Sequence, residues 1–218
     1  MRAIFTNYLE PISYFITTII LLLFSVSNNL LKMWVLFAFN LSAAILMLLA
    51  SLKVLPQINN IIEYDLLLLF AGWCIGFYFY FLFDTKISKM FCVCIVVLST
   101  INFIFQSHAY FDSLGFYLFS LCVVIMIFIY FIQLLKKSPG ETILMNFNFW
   151  INISFLIYHL GAIIIFLSIY ILTNMVSKWQ DRLNIGNLWA AQNILLFLSA
   201  LCLSYGFIWI KFHKKSSL

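Results

Sequence analysis

Along the chain, long runs of apolar residues alternate with short polar turns, and the pattern repeats seven times. A hydrocarbon core about 30 Å thick is crossed by about 20 residues of helix. The runs at 9–26, 33–52, 66–83, 90–106, 114–135, 149–172 and 188–210 meet or approach that length. They predict an all-α, polytopic membrane bundle of seven transmembrane helices, forming a single transmembrane domain over 1–218 with no soluble domain. The longest connections, 53–65 and 173–187, are too short to bury a core of their own. No kinase, nucleotidase, protease or DNA-binding domain fits between the spans.

Composition strengthens this reading. Of 218 residues, 65% are hydrophobic and only 9% charged, whereas an ordinary soluble chain is nearly half apolar and about a quarter charged. The cations divide unevenly. Lys32, Lys86, Lys89, Lys136, Lys137, Lys211, Lys214 and Lys215 fall on one side of the predicted bundle, against Arg2, Lys53, Lys178 and Arg182 on the other. Short cytoplasmic loops retain Lys and Arg, so the amino terminus is expected outside and the tail in the cytoplasm, within a bacterial inner membrane. The net charge of +5 then belongs to inner loops facing anionic lipid, not to nucleic acid. The first 26 residues do not read as a cleaved leader, because Glu10 offsets Arg2 and no small-x-small site follows the apolar run.

Candidate chemistry is sparse. No predicted span carries a Lys, Arg, Asp or Glu in its interior, and such residues ordinarily mark ion paths and proton relays. Helix seven has no lysine before Lys211, which removes a retinal Schiff base. Pro11 stands in a first helical turn, where proline is tolerated, and Pro56 and Pro139 stand in loops, so no span is broken as in many carriers. The single Pro56-Gln57 has no second copy, unlike the PQ-loop transporters. Cys74, Cys92, Cys94, Cys122 and Cys202 all lie in spans and read as small packing residues. Cys92 and Cys94 point about 200° apart on a helix. Glu63 and Asp65 are the only close carboxylates and suit the start of helix three. Without a converging nucleophile, base and orienter, the chain reads as non-enzymatic, with no cofactor and no metal.

A site can hide among uncharged polar residues, and helix six is richest in them. Trp150, Ser154, Tyr158 and Gly161 form one stripe, with Asn152 and His159 on an adjacent face. The stripe has two readings: the lining of a pocket for a small ligand or lipid headgroup, or interhelical packing with small and hydrogen-bonding residues. His159 lacks companions as a metal ligand. Asn102 and Ser99 in helix four, Asn40 and Ser42 in helix two, and Gln192, Asn193 and Ser199 in helix seven complete the polar set. Gly72 and Gly76 form a GxxxG on helix three, able to approach another helix in this chain or in a second copy.

Several segments in order carry a resemblance: Glu63-Tyr64-Asp65, the Ile101-Asn102-Phe103-Ile104-Phe105-Gln106 end of helix four, Lys136-Lys137, Asn148-Phe149-Trp150-Ile151, Tyr158 with Gly161, and Asn193-Ile194-Leu195. From about residue 59 to 212 the chain resembles a group of small uncharacterised seven-helix membrane proteins of Bacteroidota, some encoded beside two-component signalling proteins. The resemblance implies a signalling partner, and no activity. His159 stands where that group leads one to expect an apolar or aromatic residue.

The expected function is a sensory or accessory subunit that couples a signal to a cytoplasmic or membrane partner, with the lipid bilayer around it. The tail residues Lys211, Lys214 and Lys215 are the candidate partner contacts. The alternative is a carrier or channel for a neutral or lipophilic small molecule.

Overall fold

The computed structural model describes residues 2–28, 31–51, 60–106, 112–137, 143–175 and 181–216. Among them there is no strand. Seven helices follow one another: α1 (Arg2–Asn28), α2 (Leu31–Ser51), α3 (Asn60–Leu82), α4 (Lys86–Phe105), α5 (Ser113–Lys137), α6 (Phe147–Met175) and α7 (Asp181–Ser216). Within hydrocarbon every backbone N–H and C=O must be satisfied along its own segment, which is why apolar runs of this length become helices.

The helices outrun the apolar stretches that predict them. α3 begins at Asn60 instead of 66, and α7 continues to Ser216 instead of ending at 210. Hydropathy marks where the chain is apolar, whereas the hydrogen-bond ladder continues through polar residues until a cap or turn stops it. Six helices, α2 to α7, hold stretches long and apolar enough to cross a membrane, while the described apolar stretch of α1, Tyr8–Phe24, is shorter. The chain is a multi-pass helical membrane protein, and the expected count of seven crossings stands at six by this length.

Short connections make consecutive helices antiparallel neighbours, and here the order closes on itself. α1 packs against α2 on one flank and α7 on the other, so α1, α2, α3, α5, α6 and α7 form a ring. The α3–α5 seam is thin, and α4 lies outside the ring on the back of α3. α4 buries one stripe, Ser88, Cys92, Ile95 and Ser99, and leaves Ile87, Leu98, Ile104 and Phe105 exposed. Cys92 is buried and Cys94 exposed, as expected for residues on opposing faces. The GxxxG of α3 meets α4 of the same chain. A Cβ at Gly76 would fall 2.7 Å from the Val96 side chain, and one at Gly72 would strike Ser99.

The main core runs through the ring around Leu36, Ala43, Tyr78, Phe79, Val123 and Met126. A smaller cluster of Leu68, Phe116, Ala162, Ile165, Phe166 and Ile169 lies toward the end at which the odd-numbered helices begin. That end is also tied by polar contacts. Asp65, which the apolar limits place at the end of the connection 53–65, lies inside α3, only 2% exposed, and accepts from the Gln106 Nε2 at 3.1 Å. Asp112 caps α5 by accepting from the Gly115 N–H at 2.8 Å; at the opposite end of the bundle Thr85 caps α4 by accepting from the Ser88 N–H at 3.3 Å.

Candidate functional site

Most hydroxyls in the bundle are satisfied by their own helix. Ser13 donates to the Leu9 carbonyl, Thr18 to Tyr14, Thr100 to Val96 and Ser204 to Ala200, each at 2.7 to 2.8 Å. Such back-bonding costs little and commits the hydroxyl's one proton, leaving only its acceptor capacity. The informative groups are those that reach across the bundle or close no bond.

The stripe on α6 faces α7 over most of its length. Trp150 lies over Gly206, where a Cβ would strike the indole, and its Nε1 donates to the Leu144 carbonyl at 2.9 Å. Ser154 Oγ donates to the Ser199 carbonyl at 2.8 Å and lies 3.1 Å from the Ser199 Oγ. A Cβ at Gly161 would meet Leu195. Small residues thus let α6 and α7 approach closely, with hydroxyls bridging the seam.

Three members of the predicted set, Ser154, Tyr158 and His159, reach the space inside the ring. Tyr158 and His159 line a cavity of about 70 Å³ together with Tyr14, Asn40, Ser120 and Ser154. That volume holds on the order of five water molecules, the scale of a small organic ligand. The His159 ring nitrogen Nδ1 lies 3.1 Å from the Ser120 Oγ, and the rings of Phe119, Phe155 and Tyr158 stand edge-on to the imidazole. Helices α1, α2, α5, α6 and α7 all contribute polar groups, while leucine, isoleucine and phenylalanine supply the rest of the wall. The mixture suits a mostly apolar molecule oriented by a few hydrogen bonds.

The remaining predicted residues lie elsewhere. Asn152 is fully buried on another face of α6 and donates to the Tyr78 hydroxyl at 3.0 Å and the Asn148 carbonyl at 2.7 Å, leaving its Oδ1 without a partner. Asn102 lies on α4, apart from the stripe. It donates to the Asp112 carboxylate at 2.7 Å beside a separate groove of about 280 Å³ between α3, α4 and α5. Lys211 is exposed, with its Nζ 5.8 Å from the Phe207 ring centre. The side chains of Lys214 and Lys215 lie outside the described residues.

Sequence reasoning passed over one group. Glu10, read as a charge balancing Arg2 at the margin of the first span, sits in α1 one turn before the cavity residue Tyr14 and accepts from the Tyr64 hydroxyl at 3.4 Å. On α7, Gln192 is 4% exposed, and neither its Nε2 nor its Oε1 closes a hydrogen bond. The available signal was a carboxylate within the first turn of a span followed by tyrosine one turn later. Among the described residues no three His, Cys, Asp or Glu side chains gather as a metal site. Comparison of the chain with protein-family models, with curated proteins and with solved structures gives no match.

Proposed function

We propose that the protein is a non-enzymatic sensory or accessory subunit of a bacterial inner membrane, which binds a small molecule inside its helical ring and conveys occupancy to a partner protein. In this reading α1 is the seventh crossing. The amino terminus and the start of each odd-numbered helix face outward, and the basic tail from Lys211 faces the cytoplasm. The observation that carries the proposal is the cavity: residues with polar side chains from five helices line one space within the ring, and filling it changes how those helices pack. A ligand that prefers one packing shifts the bundle toward it, and the tail, continuous with α7, moves with the ring. The likeness to seven-helix proteins encoded beside two-component systems supports a signalling partner.

The test is a crosslinked pull-down from the native membrane, comparing the full chain with one ending before Lys211. Loss of a stoichiometric partner from the shortened chain, with insertion intact, is expected. An unchanged partner set, or no partner for either chain, contradicts the proposal. The thin α3–α5 seam favours a carrier as the second reading, because a ring that opens there would release its contents sideways. Solute flux in proteoliposomes that Tyr158→Phe reduces would support it.

A further inference from the structure

The cavity has a distinctive cap. One turn from its lining residues, toward the end where the odd-numbered helices begin, stand Glu10 ahead of Tyr14, Tyr64 ahead of Leu67, and Gln192 ahead of Leu196. Tyr64 and Trp189 have ring centres 5.1 Å apart, and Tyr64 donates to Glu10. Tyr14, one turn after Glu10 on α1, and Tyr158 of α6 line the cavity below. Tyr64 thus touches the carboxylate, Trp189 packs on Tyr64, and Tyr14 follows one turn along α1; among the described residues no Lys or Arg pairs with Glu10.

We propose that Glu10, Tyr14, Tyr64, Tyr158, Trp189 and Gln192 form a binding site for an ammonium group, the ligand's short apolar body extending into the cavity. Rings present their negative faces to a cation, and a carboxylate at the same point supplies a counter-charge, the combination by which organic ammonium ions are recognised. The paired amide of a satisfied core glutamine would contribute nothing further, but the Gln192 side chain, nine-tenths buried with both polar atoms unpartnered, is placed to orient a hydroxyl or ester on such a ligand. A carboxylate within an apolar helical stretch, Tyr8–Phe24, is costly unless it has such a partner. The inference rests on the reading that the cavity holds a ligand and names its class. The ammonium comes either from a free amine or from a lipid headgroup.

The experiment uses the full chain in phosphatidylglycerol nanodiscs, which bring no ammonium, and measures saturable binding of radiolabelled choline. Competitors are unlabelled choline and its neutral tert-butyl isostere, in which carbon replaces nitrogen. The isostere is expected to compete at least about tenfold more weakly. Glu10→Gln is expected to lower choline affinity about tenfold or more, with unchanged elution and melting. Tyr64→Leu gives a second, independent loss should Glu10→Gln fail to fold. Equal competition by the isostere, or unaltered binding by folded Glu10→Gln, overturns the proposal. Repeating the measurement in phosphatidylethanolamine discs assigns the source within it: displaced choline identifies a lipid headgroup, retained choline a free amine. No choline binding in either disc also overturns it. In that case a neutral molecule retained on the purified chain leaves the cavity reading standing, and a chain carrying no bound mass removes both.

Discussion

The Ser154 hydroxyl donates to the Ser199 carbonyl at 2.8 Å and lies 3.1 Å from the Ser199 hydroxyl, joining α6 to α7 at the edge of the central cavity. Interhelical hydrogen bonds in membranes average about 0.6 kcal/mol and reach about 1.7 kcal/mol. Ser154→Ala should lower stability within that range. Ser199→Ala should cost less, because the carbonyl that accepts from Ser154 remains. Thermal unfolding in one detergent ranks the two, and the opposite order would show that the hydroxyl pair, not the carbonyl bond, holds the seam.

Trp150 lies directly over Gly206. Gly206→Val should force α7 from α6 and destabilise the bundle by about 1–3 kcal/mol, the usual cost of overpacking. Trp150→Ala should relieve part of that penalty, so the double variant should be more stable than the sum of the single effects predicts. Additive losses would mean that the two residues do not share this contact.

How much of this was legible beforehand depends on the residue. The helices and their apolar limits were readable, since length and hydropathy alone set them, and Gly72 with Gly76 announced a close approach. Their partner did not follow, because these helices are apolar on every side and the pattern contains no face to point. The Ser154–Ser199 bond spans 45 residues of sequence and the Asp65–Gln106 bond 41. Only depth in the membrane links such pairs, and two polar residues at equal depth on separate helices have many alternative partners. Glu10 was overlooked because charges were weighed against span boundaries. Once α1 starts at Arg2, that carboxylate belongs to the bundle.

Gln106 holds the nearly inaccessible Asp65 from the far end of α4. Gln106→Leu should cost about 1–3 kcal/mol, because removing one partner leaves a buried carboxylate short of a donor. Asp65→Asn in the same background should recover part of the loss by removing the charge. Equilibrium unfolding of the two variants provides the comparison, and no recovery would show that Asp65 is sustained by other contacts.

Occupancy of the central cavity underlies the proposed coupling to a partner. Native mass spectrometry of the gently extracted full chain, compared with Ser120→Phe, tests it. The phenylalanine would project into the space beside His159 and Tyr158. The wild type should retain a defined small mass that the variant lacks while both remain folded. A folded wild type with no bound mass under any mild extraction, or the same mass on both proteins, would contradict a ligand in the ring.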